Sequence, residues 1–75
     1  MPVRYKPQEV ERIAVHLGWT FSHYHGDHAI FKRVGYSHIS IPEYRREIPP
    51  GTLTGILRQM GLTKRQFDEL AKEVL

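Results

Sequence analysis

Apolar positions recur along this chain in two rhythms, and each rhythm predicts a type of element. In "KPQEVERIAVHLG", Val10, Ile13, Ala14 and Leu17 fall at i, i+3, i+4 and i+7, the stripe of an amphipathic helix. Pro7 suits its first turn and Gly18 its stop, while His16 lies off the stripe and reads as solvent-exposed. "WTFSHYH" then alternates, with Trp19 and Phe21 on one face as core residues and Thr20, Ser22 and Tyr24 on the other. Gly26-Asp27 is a hairpin dipeptide of open turn type, because Asp-Gly is the commoner order. "HAIFKRV" reads as a second strand, and "SHISIP" as a third with Ile39 and Ile41 on one face and Pro42 at its end. After the polar loop "EYRREIPP", Leu53, Ile56, Leu57 and Met60 restore the helical spacing, which Gly61 stops. Thr63 and Gln66 make a capping box for a last helix striped by Phe67, Leu70, Ala71 and Val74.

The order α-β-β-β-α-α predicts an α+β fold in one domain over residues 1–75. A three-stranded antiparallel sheet carries the helices on one face, and the other face stays free for function. A core of this size contributes only about 3–5 kcal/mol net, so nearly every apolar residue is needed for packing.

Charge and composition narrow the chemistry. There is no cysteine among the 75 residues, which removes disulfides, thiolate metal sites and thiol nucleophiles together. No apolar run reaches the roughly 20 residues of a membrane span, and the N-terminus carries no signal-like apolar segment, so the expected location is cytoplasmic with no membrane partner. The formal charge of +3 is uneven. Residues 1–31 balance, residues 32–65 carry a net +5, and the last ten carry −2. A basic middle suits a polyanion such as nucleic acid, or an acidic partner protein.

Three of the five histidines fall in "FSHYHGDHAIFK". His23-Tyr24-His25-Gly26-Asp27-His28 matches the HxHxDH zinc signature of the metallo-β-lactamases. That signature needs further ligands from distant strands, and here only His38 remains downstream, with a strand pattern resuming directly after His28. His23 and His25, two apart on a strand, share a face and could chelate an incidental ion. Neither a metal nor any other cofactor is predicted.

The run "GWTFSHYHGDHAIFK", then "HISIP" and "PPGTLTGILRQMGLTKRQF", resembles the HicA toxins of bacterial and archaeal toxin–antitoxin pairs. Gly18-Trp19, Gly26-Asp27-His28, Ile41-Pro42, Gly51-Thr52-Leu53 and Ile56-Leu57-Arg58-Gln59 take the places of that family's pattern, over about residues 8–67. His23 stands where the family often has arginine, and Glu43-Tyr44 follows Ile41-Pro42 where it often has histidine. The resemblance implies a fold like that of double-stranded-RNA-binding domains (α-β-β-β-α), here with an extra C-terminal helix. It implies a ribonuclease that cleaves mRNA and a cognate antitoxin of the HicB type, and it places the catalytic role on His28.

Chemistry supports that role. RNA carries its own nucleophile, the 2′-hydroxyl, so a proton acceptor near neutrality and a cation for the phosphate suffice for attack. Histidine's ordinary pKa of about 6.5 suits the first task. Gly26 permits the turn that delivers His28, and Asp27 can cap it or orient an imidazole. The second proton carrier is left open among His25, His23 and Tyr24. Lys32, on His28's face of the same strand, with Arg33, Arg45 and Arg46, are the candidate phosphate contacts. Two other function classes compete with the nuclease: a non-catalytic RNA-binding module of the same fold, and a metal-dependent hydrolase built on the histidines.

Overall fold

A computed structural model describes residues 4–44 and 46–75. Helix α1 (Pro7–His16) is followed by strands β1 (Thr20–His25), β2 (His28–Lys32) and β3 (Ile39–Pro42), then helices α2 (Pro50–Met60) and α3 (Lys64–Val74). This is the predicted α+β order. The predicted helix signals work as backbone chemistry. The Glu9 carboxylate accepts from the Lys6 backbone N–H at 2.8 Å at the start of α1. Gly61 ends α2 in the left-handed region, where its neighbour Leu62 donates to the Leu57 carbonyl at 2.9 Å. The Thr63 hydroxyl accepts from Gln66 N–H at 3.1 Å while the Gln66 side chain accepts from Thr63 N–H at 2.9 Å, closing the capping box of α3.

The sheet runs β1-β2-β3, antiparallel throughout, with β2 in the centre. Ala29 and Phe31 of β2 pair with Ile41 and Ile39 of β3, and all four are buried against the helices. They join Val10, Ile13, Ala14, Trp19, Leu53, Leu57 and Phe67 in one apolar cluster that also takes in Tyr5 and Ala71. The other face of the sheet carries no helix. No helix among the described residues is long and apolar enough to cross a membrane.

One local departure from strict alternation governs the site. The β1–β2 register runs Thr20↔Lys32, Phe21↔Phe31, then His23↔Ile30, Tyr24↔Ala29 and His25↔His28, so Ser22 is an extra residue in a β-bulge. Directly paired residues share a face. The bulge therefore puts Tyr24 on the helix side with Phe21, their ring centroids 5.0 Å apart, rather than beside Thr20. It puts His23 and His25 on the open face. Phe21 also departs from the core role predicted for it: β1 is an edge strand exposed along its whole length, and Phe21 is 44 % exposed, touching the core only through an edge-on contact with Phe31 at 5.6 Å.

Candidate active site and nucleic-acid interface

The open face reads, from one end to the other, as three cross-strand rows. His25, His28 and Pro42 form the first, His23, Ile30 and Ser40 the second, and Thr20 with Lys32 the third. The two-residue Gly26-Asp27 turn creates the first row. Gly26 sits at φ 59° and no non-glycine residue among the described residues has a positive φ, so positive φ falls on the first central residue of this turn alone. That is the sign pattern of a type II′ turn, which explains why glycine comes first in this dipeptide. Its consequence is that the residues on either side, His25 and His28, become register partners with their imidazoles on the same face. Partners of this kind have Cβ atoms about 4.5–5.5 Å apart, within reach of a single phosphodiester.

Of the three candidates for a second proton carrier, the fold brings His25 alongside His28 and leaves His23 one row away. His23 is also engaged locally, its Nδ1 2.9 Å from the Ser22 hydroxyl. Tyr24 stands opposite Ala29 on the other side of the sheet. A residue outside that list does reach the site: the Tyr44 ring meets the His28 imidazole edge-on, with centroids 5.8 Å apart. Tyr44 is 58 % exposed, in the loop that follows β3. Its sequence signal was its place after Ile41-Pro42, where the resembled pattern has a histidine.

The turn is anchored from behind. Glu43 N–H donates to the Asp27 carbonyl at 2.8 Å, tying the end of β3 to the hairpin. The Glu43 side chain meets Glu11 of α1. The Glu11 carboxyl is pushed up to about 7 by burial, then by the hydrogen bond it shares with Glu43 and by that group's charge. Glu11 thus holds a proton against Glu43 through the acidic range, and the pair links α1 to the backbone that carries His28 and Tyr44.

The cations fall in two places. Lys32 is exposed on the open face, four residues along β2 from His28, and Arg46 is exposed in the loop beyond Tyr44. Neither makes an ion pair among the described residues. Arg33 is half-buried at the far end of the sheet, its guanidinium over the Tyr36 ring at 4.7 Å. Arg45, predicted as a phosphate contact, lies outside the described residues. Among the described residues no three His, Asp or Glu side chains are grouped to hold a metal ion. The histidines of the HxHxDH string lie on the open face in two rows, His25 with His28 and His23 one row away.

What the arrangement offers chemically is a pair of imidazoles on an open face, with an aromatic ring at one side and Lys32 farther along β2. Comparison with known proteins agrees with the family resemblance read from the sequence. No curated protein matches the chain, but the family model of the HicA toxin of bacterial toxin–antitoxin systems matches residues 7–62, spanning α1 through α2. That covers well over half of the 75 residues and implies a cognate antitoxin as partner. The chain belongs to the HicA toxin family.

Proposed function

We propose that this toxin is an endoribonuclease that cleaves mRNA without a metal, using His28 and His25 as its proton carriers. The observation that carries the reading is their register pairing across the β1–β2 hairpin on the uncovered face of the sheet. One imidazole accepts the 2′-hydroxyl proton as that oxygen attacks the adjacent phosphorus. The other, protonated, donates to the departing 5′-oxygen. The bond formed is O2′–P and the bond broken is P–O5′, giving a 2′,3′-cyclic phosphate and a 5′-hydroxyl end. His28 is the better base candidate, because it lies on the central strand, is half-buried, and is confined by Tyr44. Tyr44 is a positioning residue in this scheme. Lys32 and Arg46 neutralise phosphates on either side.

A cognate antitoxin, proposed here to be of the HicB type, silences the enzyme by covering this face, where His23, His25, His28 and Lys32 lie.

The test is cleavage of a defined RNA by wild-type and His28→Ala protein, each with and without EDTA. Wild type yields cyclic-phosphate ends in either condition, and His28→Ala loses about 10²–10⁴-fold in rate with its fold intact. RNA bound but not cut by wild type would leave a binding module. Activity abolished by chelation and restored by zinc would make the histidines metal ligands.

A further inference from the structure

At the end of the sheet far from His28, folding leaves a groove of about 430 Å³, lined in part by Thr20, Lys32, Arg33, Val34, Tyr36 and His38. Its volume is that of a small-molecule site. Its chemistry is unlike the core. Val34 is 99 % exposed, so its apolar side chain stands in water with no packing role to explain it. Arg33 is the central member. Its guanidinium lies over the Tyr36 ring at 4.7 Å, and that ring in turn packs at 5.4 Å against the buried Trp19. Gly18 borders the groove: a Cβ there would meet Arg33 Nε at an ordinary contact distance of 3.6 Å, but the glycine's φ of 96° disfavours any other residue. A planar cation is therefore held in place at a groove wall, and among the described residues no carboxylate pairs with it. Surfaces of this type stack unpaired bases: RNA bases splay onto guanidinium planes as well as aromatic rings.

The groove continues the row geometry of the open face. Lys32 lines it and also lies on the His28 face of β2, four residues away, which is roughly 13 Å along a strand. One RNA strand running along β2 can engage both ends at once.

We propose that this groove binds one unstacked nucleotide of the RNA, a few positions from the scissile bond. Its base stacks on Arg33, its edge faces Thr20 and His38, and its phosphate meets Lys32. The inference rests on the ribonuclease reading of the His28 end and adds a subsite to it. Binding at the groove supplies affinity and any sequence preference that the hydrogen-bonding groups of Thr20 and His38 impose, while the His28 row supplies chemistry.

The experiment is a ladder of 2′-O-methyl oligonucleotides of increasing length, uncleavable because the nucleophile is masked, with affinity measured by fluorescence anisotropy. Affinity should rise in a step of roughly tenfold at the length that first reaches the groove. Arg33→Lys keeps the charge but loses the plane, and should collapse that step. The double variant Val34→Ser/His38→Ala, at two exposed positions, should shrink it without touching the Arg33–Tyr36–Trp19 stack. Thermal unfolding confirms that each variant is folded. A step that persists in both variants overturns the subsite while leaving the ribonuclease reading standing. Variants that weaken capture of the antitoxin but leave the step intact assign the groove to that protein and also overturn it. No binding at any length removes the RNA reading itself, and the subsite with it.

Discussion

The two faces of the β-sheet are built by opposite rules. On the helix side Ala29, Phe31, Ile39 and Ile41 are all nearly inaccessible, and each is explained by what it packs against. On the open side His25, His28, His23, Thr20 and Lys32 contribute nothing to the core, yet the strands set them in ordered rows. In a chain this short, where net stability is about 3–5 kcal/mol, a largely polar face shows where function can be kept. Folding energy constrains one side, and the proposed chemistry uses the side that folding leaves open.

Changes to the helix side should have the largest effect on stability. Phe31→Ala removes a side chain only 3 % exposed and should cost about 3–5 kcal/mol, enough to unfold most of the protein at room temperature. Urea denaturation followed by far-UV circular dichroism reads this directly. Ile30→Ser, one residue along on the open face, should cost about 1 kcal/mol. Equal losses at the two positions would mean the open face is packed after all.

A smaller effect belongs to the joint between the faces. The Glu11 carboxyl is raised from its ordinary 4.5 to about 7 by burial and by Glu43. Its folded form thus holds a proton that its unfolded form has lost. The associated stability is fully present below pH 4.5, falls as pH rises toward 7, and is gone above that. Glu11→Gln keeps a neutral hydrogen-bonding group at all pH values. It should be more stable than wild type at alkaline pH by about 1 kcal/mol, after allowance for solvent screening at this half-exposed site, and indistinguishable from it in acid. Melting temperatures across pH check the sign, and a variant no more stable at high pH would contradict the shared proton.

The same two-faced logic explains what could be read from the sequence. The helix stripes, Gly18 and Gly61 as stops, the Thr63–Gln66 box and the three strands were all legible, because each is a local pattern with a local cause. The bulge at Ser22 was not. Nothing in the Ser22 side chain marks it as the extra residue. It arises because β1 must pair with β2 on both sides of it, and one added residue exchanges the faces of every position beyond. Strict alternation placed Tyr24 on the face that His25 actually shares with His28. His28 stood out as a histidine after a glycine-led turn, but which side chains lie beside it depended on that shift. Tyr44 was visible only as a replacement in a family pattern, since its contact with His28 spans from the loop after β3 to the start of β2. Arg33 read as a candidate phosphate contact and nothing more, because its stacking on Tyr36 depends on how the intervening turn folds back.

The central claim is that His25 and His28 divide the proton work across the hairpin, and the pH dependence of RNA cleavage tests it most directly. Wild type should give a bell-shaped profile, with one limb from an imidazole that must be neutral and the other from one that must be protonated. In His25→Ala the limb belonging to its proton should vanish, and the rate at the former optimum should fall about a hundredfold while the other limb remains. A His25→Ala enzyme that keeps both limbs and its full rate would contradict the account, and would leave His28 to work with a different partner.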